Sequence, residues 1–144
     1  MKLPQPRPGL VIRYGFLWSP EDHRGATEAS KDRPCAIIVS FQRYEEGDAR
    51  VLVAPITHSP PADASASIPI PPAICRQLGL DSQAQWLRFD ELNSFSWPGF
   101  DLRPIPGRDT MEYGLLPEHL FQQLRTGILK RQRAGQSKRP VERD

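Results

Sequence analysis

The chain is poor in cysteine: two in 144 residues, Cys35 and Cys75, in apolar or weakly polar surroundings and without metal-ligand spacing. The expectation is a pair of free, buried thiols in a reducing cytoplasm, with a disulfide between them as the lesser alternative. No apolar run approaches the length that spans a bilayer, which excludes a transmembrane helix as the organising element. The first eight residues, Met1 to Pro8, hold three prolines and two cations and no hydrophobic signal core, so no leader is expected. Internal repeats are absent. No metal and no cofactor is called for by any cluster of residues.

Proline, by contrast, is abundant: 16 residues, with 10 glycines. That frequency opposes a helix bundle and favours short strands joined by turns. The length suits one domain with a genuine core, and 38% hydrophobic against 25% charged residues is a globular composition. The formal charge of +2 is unevenly spread. From Lys130 to Asp144 six cations face two acids, giving this end +4 and leaving −2 for the rest. Residues 1–133 are therefore read as the domain and 134–144 as a basic, disordered tail.

Leu10 to Trp18 is rich in β-branched and aromatic residues and predicts a first strand, ended by Ser19-Pro20. Residues 21–32 are polar and predict a surface loop, closed by Arg33-Pro34. Cys35–Val39 and Arg50–Ile56 predict two more strands, separated by a turn at 45–48, with Pro55 marking an end or a bulge. Residues 57–66 predict a loop and 67–70 a short strand. Pro71-Pro72 predict the first turn of a short helix through Leu78, with Gly79 near its cap. Phe95–Trp97 predicts a strand, 100–114 a loop, and Pro117 to about Arg131 a helix on which Leu116, Leu120, Leu124 and Ile128 recur every four residues. The sum is a mainly β fold with a C-terminal helix: a small curved antiparallel sheet or partly open barrel of five to seven strands.

The segment Trp86–Leu92, WLRFDEL, alternates as a strand does. Leu87, Phe89 and Glu91 share one face, and Trp86, Arg88 and Asp90 the other. An arginine and an aspartate side by side can position and protonate a phosphate ester. Taken alone, the pair reads more simply as a surface ion pair.

Four segments in order carry a resemblance. They are LVIRYGFLWSPEDHRGATEASKDRPCAIIV, VLVAPITHS, Arg88-Phe89-Asp90-Glu91 followed by Asn93-Ser94-Phe95, and YGLLPEHLFQQLRTGIL. Together they resemble the MazF/PemK family of toxin ribonucleases over about residues 8–130, through its Arg-Pro, Pro-Ile-Thr and Arg-x-Asp motifs and its closing helix. The resemblance implies an SH3-like barrel of the MazF/PemK/CcdB toxin type, a cytoplasmic homodimer, and metal-independent, sequence-selective cleavage of single-stranded RNA. It also implies growth inhibition as the toxin of a type II toxin–antitoxin pair, with a cognate antitoxin whose disordered segment covers the RNA groove.

Such cleavage needs a group to take the 2′-hydroxyl proton, a group to protonate the leaving 5′-oxygen, and charge to stabilise the transition state. The resemblance places Arg33 on the phosphate as a clamp and Thr57 on it as a hydrogen-bond donor. Asp90 becomes the base or its orienter, and Arg88 a second phosphate ligand or the acid. His23, Glu28, His58 and Ser59 become substrate-binding candidates. The family pattern has His-Glu in the first long loop. Glu28 keeps the spacing of that glutamate, but Thr27 precedes it and His23 lies farther upstream. Two arrangements are open: His23 swings in, or the arginines act alone. His58, next to Thr57, is the other acid–base candidate. His119, on the last helix, is expected to be exposed or packed. Tyr14, Trp18 and Trp97 could stack on bases, although core or dimer packing is the simpler fate. Two alternatives remain: a non-catalytic RNA- or protein-binding relative, and a poison of a protein such as DNA gyrase.

Overall fold

The computed structural model describes residues 2–26, 29, 31–43 and 48–143. Glu28 and residues 45–47 of the turn predicted at 45–48 lie outside the described residues. The chain runs β1 (Leu10–Tyr14), α1 (Ser19–His23), β2 (Arg33–Arg43), β3 (Asp48–Thr57), β4 (Ser67–Pro69), α2 (Pro72–Leu78), β5 (Trp86–Arg88), β6 (Asn93–Trp97), β7 (Glu112–Leu115), α3 (Glu118–Arg133) and β8 (Val141–Glu142).

Eight strands form one mostly antiparallel sheet in the order β4-β5-β3-β2-β1-β7, with β6 on β3 and β8 parallel to β6. Among the described residues this path does not close on itself. Strand β3 changes partner along its length. Residues 49–53 pair with β6, while Ile56 and Thr57 pair with β5. Pro55, which cannot donate to a ladder, falls between the two. This switch splits the core. One cluster contains Ile56, Leu87, Phe89, Leu120 and Leu124 beneath α3. The other contains Ile12, Tyr14, Phe16, Ile37, Val51 and Phe95, with Tyr14 and Phe95 stacked at 4.5 Å between ring centroids.

Both longer helices form where their caps predict. Gly79 closes α2 at φ 72°, a left-handed conformation that glycine adopts without a Cβ penalty. Leu120, Phe121 and Leu124 turn inward from α3, whose Gly127 lies against the Phe89 ring. Both cysteines are free and buried.

Four sequence expectations are corrected. Ser19-Pro20 opens the short helix α1 rather than a structureless loop, because proline is compatible with a first helical turn. The strand predicted over 86–92 is a strand only at 86–88, although the alternation of burial continues to Glu91. Part of the predicted loop at 100–114 belongs to β7, which pairs with β1. The tail read as disordered instead carries β8: the Val141 N–H donates to the Leu92 carbonyl, and Val141 is buried. Among the described residues no helix is long and apolar enough to cross a membrane.

Candidate functional site

Four strands and three loops line a groove of about 390 Å³. Arg33 enters it from the start of β2. Thr57 and His58 enter from the end of β3, and Asp81 from the loop after α2. Arg13 of β1, Lys31 and Arg108 bring the lining cations to four, against the carboxylates of Asp32 and Asp81. With histidine neutral, that excess favours an anionic ligand.

Arg33 is the most deeply placed of these cations, with 8% of its surface exposed. Among the described residues its Nε has no hydrogen-bond partner. Its guanidinium carbon lies 5.0 Å from the centre of the Trp18 ring. Burial lowers its pKa from the ordinary arginine value, and the neighbouring Arg88 charge acts in the same direction. The arginine remains a cation, held in a setting that leaves it short of acceptors.

The backbone amide of Ser59 donates to Thr57 Oγ1 at 3.2 Å, so the Thr57 hydroxyl hydrogen remains available to a ligand. His58 Nε2 lies 2.8 and 3.0 Å from the two carboxylate oxygens of Asp81. That carboxylate is itself held by the Gln83 N–H at 3.0 Å and by Gln85 Nε2 at 3.2 Å. In neutral His58 the proton therefore sits on Nε2, and Nδ1 is the free acceptor. Arg108 donates to the Gly79 carbonyl at the end of α2, and Arg13 to the Tyr113 hydroxyl, so both cations are anchored at the rim.

Arg88 and Asp90 do not line this groove. They form a two-pronged ion pair at 3.0 and 2.7 Å, which satisfies the carboxylate. Arg88 also lies 4.6 Å from the centre of the Trp18 ring, so Arg33 and Arg88 share one indole. Asp90 lines a separate cavity against α3. The physical reason is local. Alternation puts Arg88 and Asp90 on one face, but the two satisfy each other, and Trp18 is the contact between Arg88 and the groove arginine.

Trp18 is itself pinned on both sides. The Asn93 side chain accepts from Leu17 N at 2.9 Å and donates to the Leu17 carbonyl at 2.7 Å. Glu91 accepts from Ser19 N at 2.7 Å. The buried Glu91 and Asn93 thus fix the chain before and after the indole.

Of the remaining sequence candidates, Ser59 is exposed and turns its amide back to Thr57. His23, exposed at the end of α1, lines another cavity with Arg139 and Val141. His119 is exposed on α3. Tyr14 is wholly buried, whereas Trp18 and Trp97 are half-buried. Sequence reasoning missed Asp81, Arg13, Lys31, Arg108 and the linking role of Trp18. Only Asp81 left a signal, as an acid two residues beyond a helix-capping glycine in a loop.

Comparison of the chain with protein-family models and with curated proteins found no match.

Proposed function

We propose that the protein is a metal-independent endoribonuclease of the MazF/PemK kind, acting on single-stranded RNA as the toxin of a type II toxin–antitoxin pair. The observation that carries this reading is the convergence of Arg33, Thr57 and the His58–Asp81 pair on one cationic groove. Arg33 binds the scissile phosphate and stabilises its developing charge, and Thr57 donates to a phosphate oxygen. His58 Nδ1 takes the 2′-hydroxyl proton, and Asp81 stabilises the resulting imidazolium. The 2′-oxygen forms a bond to phosphorus, the bond from phosphorus to the 5′-oxygen breaks, and Lys31 protonates the leaving oxygen. The products are a 2′,3′-cyclic phosphate and a 5′-hydroxyl. This assignment moves the base from Asp90 to His58, because Arg88 occupies the Asp90 carboxylate.

The same reading takes the sheet as an SH3-like barrel of the toxin type in an opened form, working as a cytoplasmic homodimer. Exposed Val39 and Phe41 on β2 supply apolar surface for a second copy, and the groove's positive charge suits an acidic segment of an antitoxin. One observation favours a second reading, RNA binding without cleavage: the Arg88–Asp90 pair satisfies itself away from the groove.

The test is incubation of the purified protein with a long single-stranded RNA in EDTA, followed by analysis of the product ends. Discrete fragments with cyclic-phosphate and 5′-hydroxyl ends, lost in Arg33→Ala, are expected. Retention of RNA without fragments would establish the second reading, and neither binding nor cleavage would overturn both.

A further inference from the structure

A second cavity, of about 270 Å³, lies between the end of α3 and the tail that follows it. Its floor is apolar, with Phe89 and Ile128, and its rim carries Arg131, Lys138 and Arg139. The carboxylates around these groups are already engaged. Asp90 receives both prongs of Arg88. Asp63 accepts from Ser65 and lies 3.5 Å from Arg131. Glu91 accepts from Ser19 N and from Lys138, at 2.7 and 3.2 Å. Arg139 is left as surplus charge: it is exposed, and among the described residues it has neither a hydrogen-bond nor an ion-pair partner. Among the described residues Arg131 Nε is buried without a partner.

The backbone that carries Lys138 and Arg139 is anchored just beyond them. Val141 pairs with Asn93, Glu142 pairs with Arg50, and Arg143 reaches Asp101 at 3.0 Å. A frayed basic tail binds any polyanion weakly, because each contact has to order the chain. A tail already ordered presents its charges at fixed positions and avoids that cost.

We infer that this cavity is a second phosphate-binding site, taking a backbone phosphate of the RNA strand whose scissile group lies in the groove. The inference rests on the ribonucleic-acid reading above. The Arg131 fork is engaged by Asp63 and by the Gln136 carbonyl, which its Nη2 reaches at 3.1 Å. The planar fork of Arg139, with Lys138 beside it, is therefore the group that suits a phosphodiester, and the apolar floor accepts the adjoining sugar or base. Continuity with the groove comes from one contact series: Arg33 on Trp18, Trp18 under Arg88, and Arg88 on Asp90, which lines the second cavity.

The experiment measures binding of a short 2′-O-methyl oligoribonucleotide, which cannot be cleaved, to the full chain across a salt series. Wild type is compared with Arg139→Gln, which leaves the Lys138–Glu91 pair intact, and with Lys138→Gln/Arg139→Gln. Thermal melting confirms that each variant is folded. The expected result is weaker binding in both variants, with a log–log salt slope shallower by ~0.7 for each phosphate no longer neutralised. Inorganic phosphate is expected to shift the backbone amide signals of residues 138 and 139 in the wild type and not in the double variant. Unchanged affinity and slope in both variants, while Arg33→Ala loses affinity, would overturn the second site and leave the groove reading standing. Wild type that binds the strand but cuts no RNA would sink the enzymatic reading, and the slopes would still decide this one. Tight binding of polyglutamate without binding of the oligonucleotide would assign the cavity to an acidic protein and overturn the inference.

Discussion

His58 Nε2 lies 2.8 Å from Asp81 Oδ2, joining the end of β3 to the loop that follows α2. The pair was not legible in the chain, because 23 positions separate its members. It fixes which imidazole nitrogen faces a substrate. Under the proposed mechanism, His58→Ala is expected to lower the cleavage rate by ~10²–10⁴-fold, the usual contribution of a positioned acid–base group. Asp81→Asn is expected to cost less and to act on turnover more than on RNA affinity. Single-turnover kinetics beside binding measurements checks both. An affinity loss that accounts for the whole defect would reduce the pair to a binding role.

Arg33 is a buried cation without a partner for Nε among the described residues, and its pKa is lowered by burial. A lowered pKa in a base means that the fold disfavours its charged form. Arg33→Met is therefore expected to raise stability, by about 1–2 kcal/mol, while abolishing RNA binding and cleavage. Denaturant melts together with an RNA-binding assay read the two effects. A variant less stable than wild type would assign Arg33 a packing role instead.

Gly127 sits in the middle of α3, where alanine normally favours a helix by ~1 kcal/mol. A Cβ there would come within 2.5 Å of the Phe89 ring. Overpacking of this kind costs about 1–3 kcal/mol, so Gly127→Ala is expected to be net destabilising. The double variant with Phe89→Leu relieves the clash and is expected to recover part of the loss. Chemical denaturation of the single and double variants measures the coupling.

Burial pushes the Cys35 thiol well above the ordinary thiol range, and Cys75 moves the same way. The unfolded chain loses these protons near pH ~8.5, whereas the native chain holds them. Deprotonation then favours the unfolded state, so stability is expected to fall as pH rises above that value. Replacing both cysteines with alanine is expected to flatten the dependence until tyrosine ionisation begins, because Tyr14 is likewise raised by burial. Melts across this alkaline range, with and without the substitutions, decide the matter.

Local chemistry made much of the chain legible. Proline at the first turn and glycine at the cap set α2, and four-residue apolar spacing set α3. Alternation from Trp86 to Glu91 gave the correct faces beyond the point where β5 stops pairing. The short strands β7 and β8 carry no periodic signal of their own, because pairing partners distant in sequence make them strands.

The candidate site divides in the same way. The resemblance to the toxin ribonucleases named Arg33 and Thr57, and an imidazole next to Thr57 named His58. Tertiary structure decided which of the named residues meet. The partner switch in β3 carries Thr57 and His58 to the entrance of β2, where Arg33 waits, while Arg88 and Asp90 satisfy each other behind Trp18. A sequence fixes what each side chain can donate, accept or bury. The distances that decide whether two of them act together come from strand pairing and core packing, which are set by contacts between segments far apart in the chain.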